Sequence, residues 1–146
     1  MRLKNETIMK ELKVTIPFKV RFSEVDSINI VWHGSYALYF EDAREAFGKE
    51  YGLGYYDIFN NGFMAPMVEL SFKYHKPLLY NMKPEITIIY RYTDSAKIVF
   101  DYEVKDSETG DILVTGHSVQ VFMDLSYKLV WSNPEFYEEW KKRWQE

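Results

Sequence analysis

The stretch FSEVDSINIVWHGSYALYFEDAREAF, residues 22–47, begins where a strand pattern ends and runs through a short loop into a helix pattern. In its second half, large apolar residues recur at three- and four-residue steps with charged residues between them, which is typical of an amphipathic helix. The apolar positions are Tyr36, Tyr39, Phe40, Ala43, Phe47 and Tyr51. We predict one long helix that begins near Gly34 and ends near Gly52, because glycine is a favoured helix terminator.

The segments on either side of this stretch predict an antiparallel sheet. Apolar and polar side chains alternate strictly from Lys13 to Phe22, which indicates a half-buried strand. Pro17 falls on the polar side and lacks a backbone N–H, so part of this strand is expected at a sheet edge. Further strands are predicted at residues 67–74, 86–93, 96–104, 112–123 and 128–131, with antiparallel pairing between neighbours. A short helical turn at residues 54–62 and a final helix from Pro134 complete the pattern.

Length and composition limit the number of domains and the kind of core that the chain can form. A chain of 146 residues has the length of one ordinary domain. We therefore treat residues 1–146 as a single α+β domain, with a core at about 12–134 and a C-terminal helix at 134–145. Aromatic residues make up 18% of the chain, which is high. We expect them to fill the core, and their surplus favours an apolar pocket or a subunit contact in a homodimer or homotetramer.

Charge and residue usage exclude several classes of function. The formal net charge of −4 argues against a nucleic-acid-binding protein. The chain has no Cys, which excludes thiol catalysis and disulfides. No His and carboxylate pair has the spacing of an HExxH site, so we predict no metal and no cofactor. Because neither a signal peptide nor a membrane span is indicated, we predict a cytoplasmic protein with no membrane partner.

The loop between the first strand and the helix carries the candidate chemistry. Asp26 and His33 taken singly are typical of a turn residue and a helix cap. The start of a helix, however, has unpaired N–H groups and a partial positive charge, which can hold an oxygen that becomes negative during acyl transfer. Asp26 beside the helix start near His33 and Gly34 would supply a carboxylate that attacks a thioester carbonyl or deprotonates a water. The expected apolar wall of this site is formed by Ile28, Ile30, Val31 and Trp32.

The run RFSEVDSINIVWHGSYALYFEDAR, residues 21–44, resembles the signature of the hot-dog-fold acyl-CoA thioesterases of the 4-hydroxybenzoyl-CoA thioesterase type. The shared features are an Asp after the first strand, an apolar-aromatic run, a His seven residues after the Asp, a Tyr, and an acidic-x-Ala-Arg helix segment. In this sequence they are Asp26, residues 30–32, His33, Tyr36 and residues 41–44. A weaker similarity continues through GFMAPMVELSFKYHKPLLYNMKPEITI, residues 62–88, and extends over about 12–134 in all.

This resemblance implies a fold, a substrate and a set of site residues. The fold would be a curved antiparallel sheet wrapped around one long central helix, with two subunits joining their sheets and acyl-CoA lying across their boundary. Asp26 would be the nucleophile or general base, the backbone N–H of His33 would polarise the thioester carbonyl, and the His33 side chain would orient the substrate or donate a proton. Whether attack is direct, through an anhydride or by an activated water stays open. The expected substrate-binding residues are Trp32, Gly34, Tyr36 and Pro66.

Two positions depart from the family pattern, which usually has glycine two or three residues after the Asp. This chain has Ile28 and Asn29 there. Asparagine tolerates a positive φ better than other non-glycine residues, so we expect Asn29 to keep the bend. Ile28 is expected to narrow the loop or to restrict the acyl groups that fit. A non-catalytic protein that binds acyl-CoA or an acyl group is therefore a second hypothesis.

Glu41 is a rival carboxylate, because a relative in the same fold class carries its catalytic acid on the helix. Paired with His33, it would suit a dehydratase acting on acyl carrier protein, which is a third hypothesis. An ion pair between Glu41 and Arg44, three residues apart, would contribute only tenths of a kcal/mol. Cations available for the phosphates of CoA are Arg91, Lys97, Lys73 and Lys76, none of which we assign.

Overall fold

The computed structural model describes residues 10–145, and residues 1–9 and 146 of the predicted domain lie outside the described part. Within that part, the chain forms one antiparallel sheet and three α-helices, in the sequence order β1, α1, α2, β2 to β7, α3. The strands are β1 (Lys13–Pro17), β2 (Phe63–Met64), β3 (Met67–Tyr74), β4 (Pro84–Arg91), β5 (Lys97–Asp106), β6 (Ile112–Asp124) and β7 (Leu129–Val130). The helices are α1 (Tyr36–Tyr51), α2 (Tyr55–Asn60) and α3 (Glu135–Gln145). No helix in residues 10–145 is long and apolar enough to cross a membrane.

The sheet has β1 at one side and β3 at the other. Its main order is β1-β4-β5-β6-β2, and β3 and β7 also pair with β6. β1 pairs only with β4 among the described strands, so the edge position inferred from Pro17 is confirmed. β3 pairs with β6 from Met67 to Tyr74, and no other strand of residues 10–145 pairs with it. A strand of eight residues therefore presents one unpaired edge.

The long helix α1 lies against the sheet through the apolar stripe that the sequence indicates. Phe40, Ala43 and Phe47 have no exposed surface. The ring of Phe40 stacks on that of Tyr102 in β5, with 4.1 Å between the ring centroids. Gly116 in β6 faces the same ring, and a Cβ at this position would overlap the Phe40 side chain. Glycine at position 116 therefore lets helix and sheet approach closely.

The first strand is shorter than predicted. It ends at Pro17, and the predicted strand end, Phe22, lies instead in a 3₁₀ turn at Phe22–Glu24 and is 76% exposed. The backbone N–H of Arg21 donates to the Glu24 carboxylate at 2.8 Å, which closes this turn. The alternating pattern still predicts burial correctly at Val20, which is buried although it lies outside the strand.

The C-terminal helix α3 is present as predicted, but it begins at Glu135, one residue after the predicted first position, Pro134. Tyr137 shares a hydrogen bond of 2.7 Å with the hydroxyl of Tyr90 in β4. The indole N–H of Trp140 donates to the carbonyl oxygen of Tyr51 at 2.6 Å. These bonds join α3 both to the sheet and to the end of α1.

Candidate active site

Asp26 lies at the tip of a small hairpin. Its backbone N–H donates to the carbonyl oxygen of Ile30 at 2.8 Å. Its Oδ1 accepts hydrogen bonds from the N–H groups of Ile28 at 2.9 Å and Ile30 at 3.2 Å. Asn29 has φ 68°, so the expected positive φ at this residue is confirmed. The Asp26 side chain is exposed, and Oδ2 receives no hydrogen bond from residues 10–145.

A second hairpin has the same local geometry around Asp124. Its Oδ1 accepts from the N–H groups of Ser126 at 2.8 Å and Lys128 at 3.1 Å. Tyr127, three residues after the aspartate, has φ 66°. The hydrogen bonds of Asp26 are therefore those of a structural turn. A catalytic role for Asp26 would therefore depend on the position of its hairpin relative to the start of α1.

The base of the Asp26 hairpin lies on the start of the long helix. The N–H of Trp32 donates to the carbonyl oxygen of Glu24 at 2.8 Å, and the N–H of Ser35 donates to that of Trp32 at 2.9 Å. The next two groups, the N–H of His33 and the N–H of Gly34, donate no backbone hydrogen bond within residues 10–145. His33 and Gly34 are the first two residues of the 3₁₀ turn that leads into α1. The Asp26–Ile30 pair lies two residue pairs from the Glu24–Trp32 pair along the hairpin, which is about 7 Å.

Glu24 is a residue that the sequence reasoning missed. The Tyr39 hydroxyl donates to its Oε1 at 2.7 Å, and the Ser35 hydroxyl reaches its carbonyl oxygen at 3.5 Å. Burial raises the pKa of Tyr39, and the hydrogen bond to Glu24 raises it further. Since Tyr39 is in α1, Glu24 ties the hairpin to the helix. The only signal in the sequence is the spacing of Arg21 and Glu24, which suits a capped turn.

Trp32 and Gly34 form one unit at the helix entrance. Trp32 is 54% exposed, and its ring lies over Gly34 where a Cβ would stand. The ring centroids of Trp32 and His33 are 4.9 Å apart. From β3, the Tyr74 hydroxyl donates to the carbonyl oxygen of His33 at 3.2 Å. The structure thus brings Trp32, His33 and Gly34 together at the helix entrance, and it places Asp26 at the tip of the hairpin that leads into this entrance.

Gly34→Ala tests this unit. A Cβ at position 34 overlaps the indole, so the Trp32 ring must leave the entrance. We expect a loss of about 1 kcal/mol in the free energy of unfolding, measured by chemical denaturation. In a Trp32→Ala background the same change should cost almost nothing further, because the overlapping ring is gone. Equal losses in both backgrounds would contradict the role given to the indole.

The other two predicted substrate-binding residues lie elsewhere. Tyr36 is 2% exposed and packs in the core against Tyr39 and Tyr74. Burial, with a smaller contribution from Tyr74, raises its pKa to about 12. Pro66 directly precedes β3, whereas Tyr74 ends it beside His33. The seven residue steps between those ends span about 23 Å, so Pro66 is not part of the helix entrance of the same chain.

A cleft of about 670 Å³ opens further along α1. Glu41 and Arg44 line it, whereas Asp26 and His33 do not. The expected ion pair between Glu41 and Arg44 is absent from the described residues. Arg44 instead donates to the Tyr102 hydroxyl at 3.0 Å, because its position on the helix lies next to the buried stripe. That prediction is wrong.

The four cations considered for the CoA phosphates differ in whether they already form an ion pair. Arg91 donates to the Asp101 carboxylate at 2.7 Å, and Lys76 lies 3.1 Å from that of Asp111. Lys73 and Lys97 form no ion pair with any described residue. None of the four is assigned to phosphate binding.

Comparison with known proteins places the chain in a family. Residues 20–141 match the model of the thioesterase-like superfamily. YneP of Bacillus subtilis, a candidate acyl-CoA thioesterase, is 28% identical over 109 residues, which cover 73% of this chain and 76% of YneP. A DHNA-CoA thioesterase structure from Staphylococcus aureus has a TM-score of 0.77 at 24% identity, with 90% of each chain covered. A hypothetical protein from Thermus thermophilus also has a TM-score of 0.77, at 25% identity, covering 90% of this chain and 98% of its own.

These similarities confirm two of the predictions made from the sequence. The seven-stranded antiparallel sheet and the long helix match the hot-dog fold of the structural neighbours, and the enzyme class is a thioester hydrolase. The match covers the first hairpin from residue 20, all of α1 and the sheet from β2 to β7. The chain belongs to the thioesterase-like superfamily.

Proposed function

We propose that this protein hydrolyses an acyl-CoA thioester to a carboxylic acid and free CoA, with Asp26 as the catalytic carboxylate. The observation that carries the proposal is the hairpin that holds Asp26 two residue pairs from the Glu24–Trp32 pair. Trp32 directly precedes the N–H groups of His33 and Gly34, which have no backbone partner among residues 10–145. The thioester carbonyl oxygen would accept from those groups, which stabilise the negative charge that develops on it. The His33 side chain is exposed beside them, where it can orient the substrate or donate a proton.

The chemistry has two forms that this geometry allows. As general base, Asp26 takes a proton from a water whose oxygen bonds to the carbonyl carbon, and the C–S bond then breaks to release the CoA thiolate. As nucleophile, its carboxylate oxygen bonds to that carbon, the thiolate leaves, and water hydrolyses the anhydride. Both forms consume one water and yield one carboxylic acid and one thiol. Oδ2 is available for either, because Oδ1 is occupied by the turn.

The site is completed by a second copy of the chain in a homodimer or homotetramer. In one subunit the side chains around the hairpin tip are open to solvent: Phe22, Ile28, Trp32 and Tyr80. The unpaired edge of β3 ends at Tyr74, whose hydroxyl contacts the helix entrance. Pairing of two β3 edges would bring a second subunit close to this end and exclude water from it. Pro66 can contribute to the acyl pocket only from that second subunit.

A panel of acyl-CoA esters with a thiol-detecting readout tests the reaction and the acyl preference together. It should include 4-hydroxybenzoyl-CoA, since that substrate type stays a prediction, and one matched acyl carrier protein thioester. We expect catalysed CoA release from at least one ester. Light scattering should give the molar mass of a dimer or a tetramer. A monomer that releases no CoA from any ester would contradict the proposal.

Non-catalytic binding of acyl-CoA is the second candidate function. It is favoured by one observation: the Asp26 hydrogen bonds are those of a structural turn, as at Asp124. It predicts tight acyl-CoA binding in calorimetry with no CoA release over hours. Turnover by the purified protein would rule out this second function.

A cytoplasmic location also belongs to the hydrolase proposal, because CoA esters are intracellular substrates.

A further inference from the structure

Glu24 joins the arm of the hairpin that carries Asp26 to the first turn of α1. Its Oε1 accepts hydrogen bonds from the backbone N–H of Arg21 at 2.8 Å and from the Tyr39 hydroxyl at 2.7 Å. Its backbone carbonyl oxygen accepts from the N–H of Trp32 at 2.8 Å. One residue therefore bonds to the turn before the hairpin, to the opposite arm of the hairpin and to the long helix.

The Tyr39 hydroxyl is a fixed point in α1. Tyr39 is 4% exposed, and its ring packs against Phe18 with 4.4 Å between the ring centroids and against Tyr36 at 5.7 Å. Burial raises the pKa of Tyr39, so the hydroxyl keeps its proton and donates. A phenol that lies 2.7 Å from a carboxylate oxygen forms a charge-assisted hydrogen bond, which is about twice as strong as a neutral one. The Glu24 side chain is thus held by a partner that is itself fixed in the core.

The two arms of the hairpin are held in different ways. The arm at residues 30–32 runs directly into the start of α1, and the N–H of Val31 donates to the carbonyl oxygen of Leu78 at 2.9 Å. Within the described part of the chain, the backbone of the Asp26 arm bonds only to the rest of the hairpin and to the preceding turn. In the same part, Glu24 is the one member of that arm whose side chain hydrogen-bonds to α1. The position of Asp26 relative to the helix start therefore depends on this side chain.

We propose that Glu24 is a positioning residue, which sets the separation between the Asp26 carboxylate and the N–H groups of His33 and Gly34 through its bond to Tyr39. The separation matters because the carboxylate and the N–H groups act on one carbonyl group, and a misplacement of about 1 Å can lower a rate by about 10²-fold. In this role Glu24 acts through Asp26 and does not bind the substrate, so its loss affects kcat rather than KM. The inference rests on the proposed function, because it takes Asp26 as the catalytic carboxylate.

Tyr39→Phe removes the hydroxyl and keeps the ring that packs against Phe18. We expect kcat for the best acyl-CoA ester to fall roughly tenfold, with KM within about twofold of the wild-type value. The fall is smaller than that for a full misplacement because the backbone bond between Glu24 and Trp32 still closes the base of the hairpin. A rise in KM at unchanged kcat, or no change in either constant, would overturn the inference.

Tyr90→Phe is the matched control for this variant. Tyr90 is also 4% exposed, and its hydroxyl also shares a hydrogen bond of 2.7 Å, in this case with Tyr137 in α3. Tyr137 keeps its bond to the carbonyl oxygen of Lys97. The melting temperature should fall in both variants, whereas kcat should fall only in Tyr39→Phe. Equal losses of kcat would assign the effect to lost stability and contradict the positioning role.

Changes at Glu24 itself test whether its side-chain oxygen is the feature that matters. Glu24→Gln keeps an oxygen that can accept from both Arg21 and Tyr39, so kcat should stay within about threefold of the wild-type value, the loss reflecting a neutral acceptor. Glu24→Ala removes the acceptor and should lower kcat as much as Tyr39→Phe does. If Glu24→Ala does not fold, the other two variants still decide the question, because equal losses in Glu24→Gln and Tyr39→Phe would overturn the inference.

The double variant of Glu24→Ala with Tyr39→Phe shows whether the two side chains act as one unit. Both changes remove the same hydrogen bond, so together they should lower kcat by no more than about twofold beyond the larger single loss. Fully additive losses would mean that the two residues act independently, which contradicts the proposal.

Hydrogen exchange at single backbone amides separates failure of this inference from failure of the proposed function. The N–H of Asp26 donates to the carbonyl oxygen of Ile30 at 2.8 Å, and the N–H of Asp124 donates to that of Lys128 at 2.9 Å in the second hairpin. In Tyr39→Phe the exchange of the Asp26 N–H should become roughly tenfold faster, the factor expected for a lost hydrogen bond to a charged group. The exchange of the Asp124 N–H should not change.

The combined results have distinct meanings. Faster exchange at Asp26 in a protein that releases no CoA would contradict the hydrolase proposal alone. Hydrolysis that requires Asp26, with unchanged exchange and unchanged kcat in Tyr39→Phe, would contradict the positioning role alone. Hydrolysis that requires Asp26, with faster exchange and lower kcat in Tyr39→Phe, is the result that both proposals predict.

Discussion

Asp26→Asn is expected to lower kcat/KM for acyl-CoA hydrolysis by roughly 10²- to 10⁴-fold, the range for loss of a general base. The amide oxygen of asparagine can still accept from the N–H groups of Ile28 and Ile30, so the turn should persist. The amide cannot take a proton from water or attack the carbonyl carbon. Steady-state thiol release measures the loss, and an unchanged melting temperature shows that the fold is intact.

The matched control is Asp124→Asn. Asp124 accepts two backbone hydrogen bonds with the same spacing and precedes a residue with positive φ at the same distance. The two variants should therefore have the same small effect on stability, while only the change at Asp26 affects hydrolysis. Near-normal turnover in Asp26→Asn, or an equal loss in Asp124→Asn, would contradict a catalytic role.

Phe40→Ala is expected to have the largest effect on stability, with a loss of roughly 3–5 kcal/mol in the free energy of unfolding. Phe40 has no exposed surface, stacks on Tyr102 and contacts Phe72 at 4.9 Å between ring centroids. Gly116 faces its ring and has no side chain that could fill the space left by truncation. The cavity would thus persist between α1 and the sheet. Urea denaturation measures the change.

Phe59→Ala is the control for that experiment. Phe59 is in α2 and 42% exposed, so its truncation creates no closed cavity, and we expect a loss of about 1 kcal/mol or less. Similar losses in the two variants would show that α1 does not organise the core in the way described.

Most of the fold could be predicted from local pattern. The α1 stripe follows from the spacing of Phe40, Ala43 and Phe47, and β3 was predicted with the observed ends because Met67 and Tyr74 bound a strand pattern. The early end of β1 could not be predicted in this way. Apolar alternation continues past Pro17, but the hydrogen bond that closes the next turn depends on where the Glu24 carboxylate lies.

The candidate site could be predicted only in part, for a physical reason. The bend at Asn29 is a local backbone preference, and it was predicted. The roles of Glu24 and Arg44 depend on partners 15 and 58 residues away, Tyr39 and Tyr102, which no local pattern specifies. The separation of Pro66 from the helix entrance follows from strand direction, which only the assembled sheet defines.

The most direct test of the central claim is a crystal structure of the protein with a CoA ketone, in which a methylene between sulfur and carbonyl carbon prevents hydrolysis. We predict the ketone oxygen at about 2.7–3.2 Å from the backbone nitrogen of His33 or Gly34. The Asp26 carboxylate should lie beside the carbonyl carbon, at about 3–3.5 Å or separated from it by one water. A carbonyl held away from the start of α1, with Asp26 still facing solvent, would contradict the account.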